Sequence, residues 1–144
     1  MVKISVAYHK PSQAFVAKDE FGNSISFKVD RKMEANDPIS EGSSTSPMTA
    51  LLMAMGACSG IDIVLILEKQ KQDFDSLTIE VEGARAKDLV PALWLNAHIK
   101  YLLTGNINLG KAQKAAQLSV DKYCSVAEIL RRSGCEITYE VRLN

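Results

Sequence analysis

The first third of the chain alternates apolar and polar residues, which is the pattern of half-buried β-strands. Three short segments show this alternation, at residues 4–8, 13–18 and 24–29. Residues 19–23 contain aspartate, glycine and asparagine and supply a turn before the third segment. We therefore expect a meander of three antiparallel strands at the start of the chain.

A long apolar helix follows a polar loop. Ser46 is a typical N-cap, and Pro47 fits the first helical position, where a missing N–H costs nothing. The predicted helix runs to about Lys71, and up to residue 66 Asp62 is its single charge. We expect other structure to enclose such a helix on most sides. Residues 56–60 have so little side-chain volume that another backbone or a ligand must approach closely there.

The rest of the chain predicts two strands, two helices and a last strand. The strands are centred on residues 77–82 and 93–101, and a helix follows at about residues 109–119. A further helix begins near Cys124, where Ser125 and Glu128 fit a capping box, and the closing strand covers residues 136–143. The order βββ-α-ββ-αα-β predicts an α+β fold, with antiparallel sheets around the long helix.

Length and charge narrow the possible functions. With 144 residues, the chain is predicted to form one domain, residues 1–144, and its long apolar helix favours an obligate dimer. Seventeen basic and seventeen acidic residues argue against a nucleic acid or a membrane surface as partner. The chain lacks an uncharged run of 18 apolar residues, so we expect no membrane span. Three cysteines are poor material for a secreted disulfide framework, and a cytoplasmic location follows.

Two of the three cysteines are candidates for thiol chemistry. Cys124 is predicted at the start of a helix beside Lys122, and both features favour the thiolate and lower its pKa. Cys58 lies in the middle of the apolar helix, where burial and nearby Asp62 oppose the thiolate. A reactive Cys58 therefore requires a cation from elsewhere, most simply an arginine. A core thiol is the alternative at each position, and Cys135 is interpreted as structural.

Two histidines without a partner at ligand spacing predict no metal site, and we expect no cofactor.

Three segments resemble the OsmC/Ohr family, and the likeness extends over nearly the whole chain. The second cysteine lies in a Tyr-Cys-Ser-Val motif that is similar to an OsmC-like branch of this family. The segments are Ser46-Pro47-Met48, Gly56-Ala57-Cys58-Ser59-Gly60-Ile61-Asp62, and Leu118-Ser119-Val120-Asp121-Lys122-Tyr123-Cys124-Ser125-Val126.

The resemblance implies an OsmC/Ohr-like fold, an intertwined homodimer and a thiol-dependent peroxidase that acts in oxidative-stress defence. Cys58 corresponds to the peroxidatic cysteine, which becomes a sulfenic acid, and Cys124 to the cysteine that resolves it as a disulfide. Organic hydroperoxides are the implied substrates, and an external dithiol, a lipoylated protein in the better-known members, is the reductant. The pocket around Cys58 is expected to include Gly56, Ser59, Asp62 and Tyr123.

One position departs from the family pattern. Typical family members carry a glutamate after the helix-opening proline, and this glutamate holds an arginine onto the reactive sulfur. Here the residue is Met48. Arg31 and Arg85 are the candidates for the activating cation, and Glu41 is a candidate for the missing acid. Two other functions stay open: a non-catalytic module that binds an apolar ligand in a dimer-interface pocket, and a thiol enzyme acting on another electrophile.

Overall fold

A computed structural model describes residues 1–29 and 44–144. The chain forms two compact units, Met1–Ala50 and Leu51–Asn144. The assignment of residues 1–144 to a single domain stays a prediction. Two of the proposed activators, Arg31 and Glu41, lie outside the described residues.

The first unit contains the predicted three-stranded meander. Its strands are β1 (Ile4–His9), β2 (Ala14–Asp19) and β3 (Ser24–Lys28), paired antiparallel in the order β1-β2-β3. The Asp19 carboxylate accepts hydrogen bonds from the backbone N–H groups of Phe21 and Asn23, each at 2.9 Å. These bonds close the turn that the sequence predicts before β3.

The long helix α1 spans Pro47–Lys69 and begins where the sequence predicts. The N–H of Thr49 donates to Ser46 Oγ at 3.1 Å, which confirms Ser46 as the N-cap. At the other end the chain leaves the helix through Lys71, whose φ of 55° is left-handed. The helix therefore ends two residues earlier than predicted.

The second unit is built on a mixed three-stranded sheet. Strands β4 (Asp73–Arg85) and β5 (Trp94–Asn106) are antiparallel, as predicted. Strand β6 (Glu136–Leu143) pairs with β5 in parallel, so the prediction of purely antiparallel sheets is wrong at this strand. The reason is the helical connection between β5 and β6, which returns the chain to the same end of the sheet before β6 begins.

That connection contains a π-helical segment that the sequence pattern does not predict. Helix α2 (Leu109–Leu118) continues into the π-helical segment Ser119–Tyr123, and helix α3 (Ser125–Arg132) follows. Cys124 itself is the N-cap of α3, because its sulfur accepts a hydrogen bond from the N–H of Ala127 at 3.4 Å. The predicted capping box at Ser125 and Glu128 is therefore wrong by one residue.

Helix α1 buries one face against the sheet and leaves another exposed. An ideal Cβ at Gly60 would lie 2.5 Å from Ile79 Cδ1, and one at Gly56 would lie 3.3 Å from Val81 Cγ2. The absence of a Cβ at both glycines thus leaves room for side chains of β4 to pack against α1. The expectation that structure encloses α1 on most sides holds for one face only. By length and composition alone α1 could also cross a membrane, but one of its faces packs on strand β4.

Candidate functional site

Cys58 and Cys124 lie side by side, although 65 residues separate them in the sequence. Cys58 is on α1 and is partly exposed, whereas Cys124 is 2% exposed at the start of α3. The Cys124 sulfur lies 3.9 Å from the carbonyl oxygen of Met55, one turn before Cys58. Cys58 is close enough to Cys124 to raise the pKa of the Cys124 thiol. All three cysteines of the chain carry free thiols.

The pKa of Cys124 is raised to about 11, chiefly by burial. The N–H of Ala127 acts in the opposite direction, as expected for a sulfur at a helix start, but its effect is smaller than that of burial. Lys122 is not among the groups that shift the pKa of Cys124, and its Nζ lies over the Tyr123 ring, 5.2 Å from the ring centre. The expectation of a lowered pKa is therefore wrong, and Cys124 is a neutral thiol near pH 7.

A buried chain of hydroxyl groups runs beside the two thiols. Tyr101 Oη donates to Ser59 Oγ at 2.8 Å, and Ser59 Oγ donates to the carbonyl of Gly56 at 3.2 Å. Ser119 Oγ lies 3.1 Å from the carbonyl oxygen of Ser59 and 2.9 Å from Asp62 Oδ2. Burial raises the pKa of Tyr101, so this phenol stays protonated and donates. The chain connects α1, β5 and the π-helical segment.

Sequence reasoning missed Tyr101 and Ser119 as parts of this site. Tyr101 lies on the apolar face of its strand, where its hydroxyl group is expected to be buried. A buried tyrosine hydroxyl usually has a hydrogen-bond partner, and this is the signal that the sequence offers. Ser119 is fully buried at the end of α2, where a serine is one of the few polar residues among small apolar ones. Neither signal identifies a partner, because both partners lie far away in the sequence.

Asp62 and Tyr123 line a cleft of about 390 Å³ beside this chain of hydroxyls. Leu65, Ile66 and Leu118 form its apolar part, and Lys69 and Gln70 also contribute to its wall. The other two predicted pocket residues, Gly56 and Ser59, are buried against the sheet and are not part of this wall. The structure thus brings together Asp62 and Tyr123 in one cleft, and places Gly56 and Ser59 behind it.

Arg85 is the predicted activator that the structure describes, and it is engaged away from the thiols. Its guanidinium donates from Nε and Nη2 to the carbonyl of Ala92, at 3.3 and 2.9 Å. It also lies over the Trp94 ring, 5.8 Å from the ring centre. These contacts engage the Arg85 guanidinium at the end of β4.

Residues 1–29 and 44–144 contain no group of three or more His, Cys, Asp or Glu side chains that could hold a metal ion.

Known proteins share both the sequence pattern and the fold. The model of the OsmC-like protein family matches residues 40–140. Protein YhfA of Escherichia coli K12 is 36% identical over 98 residues, which are 67% of this chain and 72% of YhfA.

Two solved structures show the same fold over the full length. A hypothetical protein from Aquifex aeolicus VF5 superposes with a TM-score of 0.78 at 26% identity, covering 100% of this chain and 98% of that one. An organic hydroperoxide resistance protein from Elizabethkingia anophelis superposes with a TM-score of 0.70 at 11% identity, covering 100% and 96%. The mixed α+β architecture is thus that of OsmC/Ohr proteins, and the chain belongs to the OsmC-like protein family.

Proposed function

We propose that the protein is a thiol-dependent peroxidase that reduces organic hydroperoxides and acts in oxidative-stress defence. The observation that carries the proposal is the proximity of Cys58 and Cys124, two free thiols of which one is partly exposed and the other buried. A peroxidatic thiol must be accessible to the substrate, and a resolving thiol must lie next to the peroxidatic thiol. The two cysteines differ in exposure in the way these two roles require.

The proposed reaction has three steps. Cys58 attacks the distal oxygen of the hydroperoxide, which yields a Cys58 sulfenic acid and an alcohol. The Cys124 thiol then displaces the hydroxyl group of the sulfenic acid, which leaves as water, and a Cys58–Cys124 disulfide forms. An external dithiol reduces this disulfide by exchange and restores both thiols. A lipoylated protein is the proposed physiological dithiol, and a reducing cytoplasm is the proposed location.

The neutral state of Cys124 fits the resolving role. A thiol whose pKa is raised to about 11 does not itself react with peroxide near pH 7, since the thiolate is the nucleophile. Cys124 is therefore protected until Cys58 has been oxidised. The neighbouring cleft, with its apolar Leu65, Ile66 and Leu118, favours an alkyl hydroperoxide over hydrogen peroxide.

Peroxide consumption with a dithiol reductant tests the proposal in wild type, Cys58→Ser and Cys124→Ser. We expect Cys58→Ser to abolish consumption above the uncatalysed rate. With one equivalent of cumene hydroperoxide and no reductant, wild type should lose two hydrogen atoms by mass, whereas Cys124→Ser should gain one oxygen. Cys135→Ser is the matched control and should behave as wild type. Equal rates in wild type and Cys58→Ser would overturn the proposal.

A second function, a non-catalytic module for an apolar ligand, has one observation in its favour. A second cleft of about 720 Å³ lies between α1 and β4, and most of its wall is apolar, with Ile61, Val64, Leu65, Phe74 and Leu77 among its residues. In a binding module of this kind Cys58 has no chemical role. Tight binding of a neutral alkane-chain ligand by both wild type and Cys58→Ser, without peroxide turnover in either, would favour the binding module.

A further inference from the structure

Asp62 occupies the same face of α1 as Cys58, one helical turn further on. Side chains four residues apart on a helix are neighbours, with about 5–6 Å between their Cβ atoms. On the facing side, Ser119 begins the π-helical segment and contacts Asp62, and Cys124 directly follows that segment and lies close to Cys58. The two ends of the segment thus face two neighbouring groups on α1, a carboxylate and a thiol.

The Asp62 carboxylate is only partly engaged by the protein. Ser119 Oγ is 2.9 Å from Oδ2. Among the described residues, Oδ1 accepts no hydrogen bond and no cation pairs with either oxygen. Asp62 also lines the cleft with Leu65, so the carboxylate can meet a molecule that enters there. An oriented carboxylate with a free oxygen is therefore available beside the partly exposed thiol.

A structural role alone does not explain an acid at this position. An asparagine would accept the same hydrogen bond from Ser119 through its side-chain oxygen. A negative charge next to a nucleophilic thiol is a disadvantage unless the carboxylate takes part in moving a proton.

We propose that Asp62 is the proton-transfer group of the reaction at Cys58, held in position by Ser119. The inference rests on the proposed peroxidase function. As the Cys58 sulfur attacks the distal peroxide oxygen, the S–H proton passes to Asp62, the S–O bond forms and the O–O bond breaks. Sulfur gives two electrons to the peroxide. The proton then passes from Asp62 to the departing alkoxide, which leaves as the alcohol.

The advantage of this transfer lies in the leaving group. An alkoxide is a strong base, and a positioned acid that protonates it during O–O cleavage speeds such a step typically by about 10²–10⁴-fold. A carboxylate that has just received the thiol proton supplies that acid at the right moment. Ser119 occupies one carboxylate oxygen and thereby leaves the other for the proton.

Two reactions of Cys58 separate protonation of the leaving group from removal of the S–H proton. Oxidation by cumene hydroperoxide releases an alkoxide that must be protonated, whereas alkylation by iodoacetamide releases iodide, which needs no proton. We would measure both rates at pH 7 in wild type and in Asp62→Asn, with mass spectrometry of the Cys58 peptide. The asparagine keeps the shape of the side chain and the acceptor for Ser119.

We expect Asp62→Asn to slow the oxidation of Cys58 by about 10²-fold. Alkylation should slow by a smaller factor, because it loses only the acceptor for the S–H proton, whereas oxidation also loses the acid that protonates the alkoxide. Asp62→Glu, which restores a carboxylate, should recover part of the oxidation rate. Glu68→Gln is the matched control, since Glu68 is an exposed acid on the same helix, and both of its rates should equal those of wild type.

Oxidation and alkylation rates that fall by the same factor, or an oxidation rate that does not change, would overturn the role of Asp62 and leave the peroxidase function in place. A wild-type protein in which peroxide does not oxidise Cys58 would overturn both. The two failures are distinguishable, because the first is seen only in the comparison of variants and the second already in wild type.

Discussion

The hydroxyl of Tyr101 donates to Ser59 Oγ at 2.8 Å, and both side chains are fully buried between α1 and the sheet. The bond connects the middle of β5 to the residue that follows Cys58. It fixes the rotation of α1 about its axis, because Ser59 must face the sheet for the bond to form. Cys58 is thereby directed away from the sheet, toward Cys124.

Ser59→Ala should destabilise the second unit more than Tyr101→Phe. The first change leaves a buried phenol without an acceptor and costs about 1–3 kcal/mol of unfolding free energy. The second leaves Ser59 its bond to the Gly56 carbonyl and should cost about 1 kcal/mol. Urea unfolding measures both values, with Tyr8→Phe, a change at an exposed tyrosine, as control. The reverse order of the two costs would contradict the assignment of Tyr101 as the donor.

Gly105→Ala should destabilise the protein through the β-bulge at the start of β4. Gly105 has a φ of 119°, and a Cβ there would lie 2.8 Å from the backbone nitrogen of Asp75. Strain of this kind costs about 1–3 kcal/mol. Gly134→Ala is the control for φ alone, since Gly134 has a φ of 98° and no atom within 4 Å of its ideal Cβ. The melting temperature should fall further for Gly105→Ala than for Gly134→Ala, and equal shifts would contradict the clash.

Arg131→Gln should loosen the π-helical segment that precedes Cys124. Arg131 Nη2 donates to the carbonyl of Val120 at 2.9 Å, and Nη1 pairs with Glu128 at 2.7 Å. We expect the free energy of unfolding to fall by about 1–2 kcal/mol and amide hydrogen exchange in residues 119–123 to become faster.

Arg132→Gln is the matched control for this effect. Arg132 pairs with the same glutamate at 2.9 Å, but its side chain is 80% exposed. Such a surface pair contributes less than about 1 kcal/mol, and hydrogen exchange in the π-helical segment should stay unchanged. If the two variants behave alike, the bond to Val120 does not hold the segment.

The raised pKa of Cys124 predicts a loss of stability at alkaline pH. The folded protein binds the thiol proton more tightly than the unfolded chain, in which the pKa has its ordinary value of 9.0. The contribution to stability is therefore complete below pH 9 and is lost as the pH rises toward about 11. Across this pH window, the free energy of unfolding measured in urea should fall by about 2 kcal/mol more for wild type than for Cys124→Ser. Parallel curves for the two proteins would contradict the prediction.

The exposed stripe of α1 predicts that one substitution prevents homodimer formation. Met53, Ile61 and Leu65 are 58%, 62% and 51% exposed, and four-residue steps through Ala57 place them on one face. If this face is the dimer interface, Ile61→Glu should give a monomer in sedimentation experiments on a dimeric wild type. Leu89→Glu, at a residue that is 64% exposed in the loop before β5, should leave the dimer intact. A dimer that persists in Ile61→Glu would place the interface elsewhere.

The elements that sequence predicts correctly are those with local signals. Alternation identifies β1 to β6, and Ser46 with Pro47 marks the first turn of α1. Strand direction is not local, since the pattern of β6 reads the same whichever way it pairs with β5. The π-helical segment was missed for a related reason: one additional residue in a helical turn leaves little trace in apolar spacing.

The sequence by itself determined that the chain has two candidate thiols and a long apolar helix. It also determined the resemblance to a known family, because the residues that carry that resemblance are read directly from the chain. Helix caps and periodicity depend on residues close together in the chain, and these interactions are encoded locally. Tertiary structure alone decided that Cys58 meets Cys124, that Ser119 meets Asp62 and that Arg85 is bound elsewhere. It also reversed the predicted pKa shift of Cys124, because the cost of burying a thiolate depends on everything packed around it and exceeds the local help of a helix start.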